Sequence, residues 1–430
     1  MKTAEKPNRK QAGTPIAITI LVWLCRIAVG GVFIFSGWVK AVDPWGTVYK
    51  FNDYFSAWGM QMPHELTVVA ACVLSATEFT VGISLVTGIL KRFTAWTTLL
   101  FMAVMTPLTL WIYLANPVSD CGCFGDALII SNGMTLAKNI VLTALAIVLI
   151  CLNKRVAGLI SPKIQWIAIM LSVAYAGAIS VFGYIVQPLV DFRPYKVGQT
   201  LTDNNSQAGP TFIYQRNGQL RSFTADSLPD DSWEFVERKE PKPDIHSKQF
   251  AAIDEYGDDI TAELVEESEN GLYLLCISNP DAHGLSRSRM ANELYDYANA
   301  NAQSMAAIVA TDSIAEWAER VGARYPVFAA DATDIESLVR GNAALVYVKN
   351  DTVRWKYSLY TLPPDLATAK EGNKSMLNIS PVEDKSVLPL MTTIYLIMLG
   401  ALALMSVLPA IYTRHKATYK SMDKSHGNKF

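Results

Sequence analysis

Six long apolar runs constrain this chain more than any other feature of its sequence. Hydrocarbon offers no hydrogen-bond partner to backbone groups, so a segment that crosses a bilayer folds as a helix of about 20 apolar residues. The chain has 430 residues, of which 51% are hydrophobic and 18% charged, and six runs have that length. They are Ile16–Gly37, Leu66–Leu90, Phe93–Ala115, Met134–Leu152, Ile164–Val186 and Leu388–Tyr412. The sequence therefore predicts an α-helical membrane protein whose first partner is the lipid bilayer.

Lysine and arginine gather beside these runs in four short segments. If every run crosses the bilayer, all four segments lie on one face, and the excess of basic residues marks that face as cytoplasmic. They are the N-terminal arm with Lys2, Lys6, Arg9 and Lys10, the pair Lys91–Arg92, the stretch Lys154–Lys163 and the tail from Arg414 to Lys429. We therefore expect a multi-pass protein of the bacterial inner (cytoplasmic) membrane, with both termini in the cytoplasm.

The spans and the charge distribution predict six regions along the chain. These are a cytoplasmic arm (1–15), a four-helix membrane domain (16–153), a fifth span (164–187), a periplasmic acidic domain (188–387), a sixth span (388–412) and a basic cytoplasmic tail (413–430). Short loops join the first four spans, which favours an antiparallel bundle. The aromatic-rich loop Trp38–Glu65 is expected to form a short amphipathic helix on the bilayer surface.

The acidic domain is predicted to contain a thioredoxin-like α/β fold from about residue 250, after a linker at Lys239–Lys248. Strands and helices alternate there, and "ALVYVKNDTVRWKYSL" indicates a closing hairpin that turns at Asn350–Asp351. The turn after the first strand carries no cysteine pair, and Ala343 stands where such folds usually carry a cis-proline. We therefore expect this domain to be redox-inactive, with Cys276 in its core. Most of the 39 acidic residues lie in 188–387, and no basic patch indicates a nucleic-acid partner.

The stretch "DCGCFGD", Asp120–Asp126, places two cysteines one residue apart between spans three and four. Disulfides persist outside the cytoplasm, where this loop is expected to lie. Cys121 and Cys123 can close only a very small ring, which requires a turn that Gly122 and Gly125 permit. Such a bridge should be easy to reduce, which suits exchange better than structural stapling.

Three other interpretations of the cysteine pair remain open. The first treats Cys121 and Cys123 as two unrelated thiols. The second treats them as part of a structural or partner-docking turn, and the third as two of four metal ligands. Zinc sites usually have two to four residues between paired cysteines and need further Cys or His ligands. His64 is the only histidine expected near the same bilayer face within the bundle. The metal interpretation is therefore the weakest of the three.

Charged residues inside the bundle add a second candidate group. Arg26 and Glu78 fall within spans one and two, and an ionised side chain at that depth is costly unless it faces the bundle interior. They form either a structural ion pair or a polar pocket for a quinone or a proton path. Lys40, at the outer end of span one, would favour a thiolate in the cysteine loop. Asp120 and Asp126 would oppose that effect, or would cap short helices or shuttle protons.

At these residues the chain resembles the MauE/DoxX family of redox-associated membrane proteins. The resemblance lies in "RIAVGGVFIFSGWVKAVDPWG", "TEFTVGISLVTG" and "DCGCFGDALIISNGMTLAKN", within roughly the first 150 residues. It implies a four-helix core like that of vitamin K epoxide reductase-type enzymes and a link to disulfide formation in exported proteins. The matching positions are Arg26, Gly30, Ser36, Gly37, Lys40, Glu78, Gly82, Asp120, Cys121, Gly122, Cys123, Gly125, Asp126 and Asn139.

The chain also departs from that pattern. Its fifth and sixth spans and acidic domain are additions, an extended architecture that resembles DoxX-family proteins of Bacteroidetes-type bacteria. The reductase-type enzymes use a Cys-x-x-Cys pair, and none occurs here.

The leading hypothesis is thiol–disulfide exchange through Cys121 and Cys123 with a periplasmic thiol-containing or envelope protein, and with a quinone as electron acceptor. The rival hypotheses are a non-catalytic scaffold that docks an envelope complex, and a transporter. The transporter hypothesis is the weaker of the two, because no pair of Gly- or Pro-broken helices is evident.

Overall fold

The computed structural model describes residues 15–118, 120–202, 211–216, 219–223, 229, 233–239, 250–282, 285–359, 361 and 387–426. These fall into two compact units. The first contains the described residues up to Tyr184, Pro188–Val190 and those after Asp384, and the second contains Ile185–Gln187 and those from Asp191 to Glu383. Apart from its last residue, the predicted arm 1–15 lies outside the described residues. So does the predicted linker Lys239–Lys248, apart from its first residue.

The first unit is helical. Its helices are α1 (Ile16–Val42), α2 (Pro44–Ala57), α3 (His64–Thr87), α4 (Lys91–Ala115), α5 (Asn132–Leu152), α6 (Gln165–Ile185) and, after the second unit, α11 (Val387–His426). Among the described residues, six helices are long and apolar enough to cross a membrane: all of these except α2, with α11 counted over Val387–Leu408. The prediction of six helices that could cross a membrane is confirmed, and the chain is a multi-pass membrane protein. Helix α11 continues through His426, beyond the predicted end of the sixth span at Tyr412.

Helix α2 confirms that the aromatic loop after the first span contains a short helix. Pro44 occupies its first turn, where a missing N–H costs nothing, and the Asp43 side chain caps the helix by accepting a hydrogen bond from the Gly46 N–H at 3.1 Å. Its position on the bilayer surface stays a prediction.

Helices α1 and α3 pack against each other through small residues. A Cβ atom at Gly37 would lie 2.3 Å from the backbone nitrogen of Phe79, and one at Gly82 would lie 2.6 Å from that of Ile34. Such close backbone approach is typical of helix pairs in membranes, where packing rather than the hydrophobic effect drives association. The close crossing brings the neighbouring polar residues of α1 and α3 within bonding distance.

The second unit contains two sheets. A three-stranded antiparallel sheet has the order β2-β1-β3, with β1 at Thr211–Arg216, β2 at Gln219–Phe223 and β3 at Glu234–Lys239. A mixed sheet has the order β6-β5-β4-β7-β8. Its strands are β4 (Leu272–Ile277), β5 (Ser304–Val309), β6 (Val327–Ala329), β7 (Ala343–Lys349) and β8 (Thr352–Ser358), and its helices are α7 (Thr261–Glu266), α8 (Leu285–Ala300), α9 (Ile314–Val321) and α10 (Ala332–Leu338).

The mixed sheet confirms several sequence-based expectations. Strands β4, β5 and β6 are parallel, and β7 and β8 form an antiparallel hairpin. Asn350 and Asp351 make its turn at φ values of +51° and +58°, which these residue types tolerate better than most. Cys276 is fully buried in β4. A separate mixed sheet is therefore present, while its assignment as thioredoxin-like stays a prediction.

Candidate functional site

The cysteine loop between α4 and α5 folds into the turn that its glycines allow. Gly122 and Gly125 have φ values of +63° and +50°, in the left-handed region where a side chain is strained. This turn brings the sulfur atoms of Cys121 and Cys123 to 3.0 Å from each other, and both residues are free thiols. The loop therefore holds the pair at a separation from which a disulfide needs little further movement.

Gly122→Ala should slow the closing of a Cys121–Cys123 disulfide. Its Cβ atom would lie 2.9 Å from Cγ of Lys50, and a non-glycine residue in this conformation costs about 1–2 kcal/mol. Gly59→Ala is the matched control, because Gly59 has a φ of +69° and no heavy atom of the described structure within 4 Å of its would-be Cβ. The measurement is the rate of disulfide formation in purified protein after addition of a chemical oxidant. Equal slowing in both variants would contradict the specific role of Gly122.

Both cysteines are anchored through their backbone carbonyl groups. The Tyr54 hydroxyl donates a hydrogen bond to the carbonyl oxygen of Cys121 at 2.7 Å. The carbonyl oxygen of Cys123 accepts from the Ser36 hydroxyl at 2.6 Å and from the Lys40 ammonium at 2.8 Å. Residues of α1 and α2 thus fix the backbone on both sides of Gly122.

Lys40 belongs to a buried ion pair beneath the loop. Its Nζ atom lies 2.8 Å from Oε2 of Glu78, and the two side chains are only 4% and 2% exposed. Ser36 Oγ accepts a hydrogen bond from Lys40 at 2.6 Å and lies 2.7 Å from the same carboxylate oxygen, so its single proton is shared between Glu78 and the Cys123 carbonyl. A carboxylate and an ammonium group at this burial are stable only because each satisfies the other and its hydrogen bonds. The pair ties α1, α3 and the cysteine loop together.

The two aspartates of the motif have different surroundings. Asp120 forms an ion pair with Lys50 at 2.8 Å and accepts a hydrogen bond from the Gly122 N–H at 2.7 Å. Asp120 therefore stabilises the turn and links it to α2. Asp126 lies in a short 3-10 turn, Gly125–Ala127, that follows the cysteines.

Arg26 does not join the other buried charges. Its guanidinium donates to the Asn153 side chain at 2.8 Å and to backbone carbonyls after α5, including that of Ala157 at 3.0 Å. These residues lie at the opposite end of α5 from the cysteine loop. The expected grouping of Arg26 with Glu78 is therefore corrected: Glu78 pairs with Lys40 beside Cys123, and Arg26 closes the other end of the bundle.

An apolar cavity of about 480 Å³ adjoins the cysteines. Both sulfur-bearing residues line it, together with aromatic side chains from α2 and α4, among them Phe51, Tyr54, Phe55, Trp58 and Phe101. Leu100 and Val104 also line the cavity and are themselves mostly exposed on the outer surface of α4. The cavity therefore reaches the surface of the bundle that faces lipid.

The two thiols differ in acidity because they share one hydrogen bond. The hydrogen bond from the Cys121 thiol lowers the pKa of Cys123, against the opposing effect of burial, with smaller contributions from Lys138 and Lys40. The same hydrogen bond, followed by burial, raises the pKa of Cys121. The arrangement therefore favours the thiolate on Cys123 over the thiolate on Cys121, and the thiolate is the reactive form of cysteine.

Within the described ranges, no three His, Cys, Asp or Glu side chains lie close enough together to hold a metal ion. His64 lies away from the cysteines: its ring stacks on Trp45 with centroids 5.2 Å apart, and Nε2 is 3.0 Å from the Tyr184 hydroxyl. The residues of the site thus present thiol, ammonium and carboxylate groups around an apolar space.

Sequence reasoning missed two site residues on α2. Lys50 and Tyr54 are one helical turn apart and so lie on the same face of the helix, which is the face that meets the cysteine loop. Their spacing in the predicted amphipathic helix was a usable signal, although only the fold shows which element that face contacts.

Part of the first unit matches a known protein family. Residues 18–152 match the model of a family described as methylamine utilisation protein MauE. Residues 18–152 form a MauE-family domain. The match ends with α5, so the MauE-family domain contains the cysteine loop and the residues of α1, α2 and α3 that contact it. Residues 210–242, which include β1 to β3, match a domain of unknown function, and no curated protein and no solved structure matches the chain.

Proposed function

We propose that the MauE-family domain carries out thiol–disulfide exchange through Cys121 and Cys123. The observation that supports this most directly is that the two free thiols lie 3.0 Å apart and line the same apolar cavity. The anchored carbonyl groups and the glycine turn hold this separation. A structural turn would not require two sulfurs that both border an open space.

The reaction transfers two electrons. A dithiol of the partner attacks the Cys121–Cys123 disulfide, which breaks the bond between the two sulfurs and yields a partner disulfide with two reduced cysteines. An oxidant must then remove two electrons and two protons from the pair to restore the disulfide. The proposed oxidant is a quinone of the membrane.

The large cavity fits a quinone in size and chemistry. Its volume of about 480 Å³ lies in the usual range for small-molecule sites, and its walls are aromatic and aliphatic. Lys40 and Lys50 bring hydrogen-bond donors to the end near the cysteines. A bound quinone would supply the capacity to accept two electrons and two protons. The protein holds the thiols beside it and excludes bulk water.

The cysteine loop is proposed to face the periplasm, as the distribution of basic residues indicates. Lys91 and Arg155 flank the opposite ends of α4 and α5. The partner would then be a periplasmic thiol-containing or envelope protein. The second unit, which contains a mixed sheet and Cys276 as its only cysteine, would bind that partner rather than react with it.

The test is the oxidation of the reduced pair by a water-soluble quinone in purified full-length protein. The oxidised fraction of Cys121 and Cys123 is followed by differential alkylation, and Leu74→Trp should slow the reaction. Leu74 lines the cavity, and filling a packed space with extra atoms costs about 1–3 kcal/mol, or roughly fivefold to hundredfold in affinity.

Val73→Trp is the matched control, because Val73 is the neighbouring residue of α3 and is 59% exposed. It should leave the rate unchanged. If the quinone never oxidises the reduced pair, a quinone is not the electron acceptor. If Cys121 and Cys123 stay fully reduced in cells under oxidising growth, the proposed thiol–disulfide exchange is wrong.

A further inference from the structure

Cys123 lines two cavities of different size. The large apolar cavity is lined by both cysteines, whereas a second cavity of about 30 Å³ on the bundle side is lined by Cys123 alone of the pair. The small cavity is large enough for a water molecule. Its lining includes Ser36, Lys40, Glu78 and two residues of α5, Lys138 and Asn139. The small cavity thus brings charged side chains beside Cys123, within walls that are otherwise mostly apolar.

The charges around the small cavity do not cancel. Of the described residues that line it, Lys40 and Lys138 are cationic and Glu78 is anionic. Lys40 and Glu78 are bonded to each other at 2.8 Å, so Lys138 contributes the remaining positive charge. A cation in a poorly hydrated space favours a thiolate over a thiol.

The position of Lys138 is fixed by the residue that follows Cys123. Its Nζ atom lies 4.1 Å from the ring centroid of Phe124, within the range of a cation–π contact. This contact holds the ammonium group beside the cysteine loop.

The other titratable groups around Cys123 come from three helices and the loop. They are Lys40 of α1, Lys50 and Tyr54 of α2, Glu78 of α3, and Asp120, Cys121 and Asp126 of the loop. The α4 residues that line the two cavities are uncharged.

We infer that Lys138 is a positioning residue for the exchange proposed above: its ammonium group stabilises the thiolate of Cys123, so that Cys123 carries the negative charge of the reduced pair. The inference rests on the proposed function and assigns separate roles to the two sulfurs. When a partner thiolate attacks the disulfide, a bond forms between the partner's sulfur and Cys121. The bond between the two cysteines breaks, and its electron pair leaves on Cys123. The more stable thiolate is the better leaving group.

The test measures the thiolate of each cysteine separately in the purified full chain. Cys121→Ser leaves Cys123 as the reporter, and Cys123→Ser leaves Cys121. The rate of alkylation by iodoacetamide is followed against pH by peptide mass spectrometry. Cys123 should reach its half-maximal rate at a lower pH than Cys121. In the Cys121→Ser chain, Lys138→Gln should raise the midpoint of Cys123 by about one pH unit or more, and Lys138→Arg should restore it.

Lys163→Gln is the charge-matched control, because Lys163 is exposed and precedes α6 at the opposite end of the bundle. An unchanged midpoint in Lys138→Gln, or an equal shift in Lys163→Gln, would overturn the inference. If Lys138→Gln fails to fold, the comparison of the two cysteines still tests the inference. The inference is overturned if the pH of half-maximal alkylation is no lower for Cys123 than for Cys121. Alkylation measures the thiolate whether or not the pair exchanges with a partner. Failure of the proposed exchange would therefore leave the alkylation midpoints unchanged, so the two failures can be told apart.

Discussion

The double variant Cys121→Ser, Cys123→Ser should keep its fold and lose thiol–disulfide exchange completely. Serine is close in size and hydrogen-bonding character to cysteine, and Tyr54, Ser36 and Lys40 hold the loop through the backbone carbonyls of the two cysteines, which the substitutions keep. Without sulfur no mixed disulfide can form. The measurement is the thiol state of exported proteins in cells, compared with cells that lack the whole chain. The double variant should match the deletion.

Cys72→Ser is the matched control, since Cys72 is a partly buried thiol of α3 that lies away from the loop. It should behave as the unsubstituted chain. A non-catalytic scaffold predicts the reverse pattern: the double cysteine variant would be silent, and replacing residues 191–383 by a short linker would reproduce the full deletion. That outcome would overturn the exchange proposal and favour a docking role for the second unit.

The membrane part of this fold was predictable because lipid permits few alternatives. Runs of about 20 apolar residues must form helices, and six helices of that kind are present among the described residues. The turn at Gly122 and Gly125 was equally accessible to sequence reasoning, since two cysteines one residue apart can meet only through a bend. The hairpin at Asn350 and Asp351 followed from turn chemistry alone.

The arrangement of buried charges was not predictable from the same signals. Hydropathy places Arg26 and Glu78 inside spans, but it does not give their depth along the helix axis. Arg26 and Lys40 are 14 residues apart on α1, which corresponds to about 21 Å along the helix. Glu78 lies at the depth of Lys40 because α1 and α3 cross closely at Gly37 and Gly82. The pairing therefore depends on helix packing, which the sequence pattern does not specify.

The apolar cavity was also beyond sequence reasoning. It arises where α2, α3, α4 and the cysteine loop fail to fill the space between them, and such a shape depends on many side chains at once. The site next to the thiols opens toward lipid rather than toward Arg26, so the proposed quinone would lie beside the cysteine loop.

The buried pair of Lys40 and Glu78 should be the most sensitive point for stability in the MauE-family domain. Glu78→Gln or Lys40→Met leaves one buried charge without its partner, which costs about 3–5 kcal/mol. Lys40→Met also removes a hydrogen bond from the carbonyl oxygen of Cys123 and so loosens the loop. The measurement is thermal unfolding of the purified chain, together with the rate at which an oxidant closes the disulfide.

The double variant Lys40→Met, Glu78→Leu removes both charges of the ion pair. It therefore distinguishes the contribution of the ion pair to stability from the cost of leaving one buried charge unpaired. Because no charge is left unpaired, it should unfold at a higher temperature than either single variant. Asp120→Asn is the control from the second ion pair of the site, where Lys50 and Asp120 are 22% and 16% exposed. Its cost should be about 1 kcal/mol or less, since water screens that pair. If Glu78→Gln unfolds no earlier than Asp120→Asn, the buried pair does not hold the bundle beneath the cysteines.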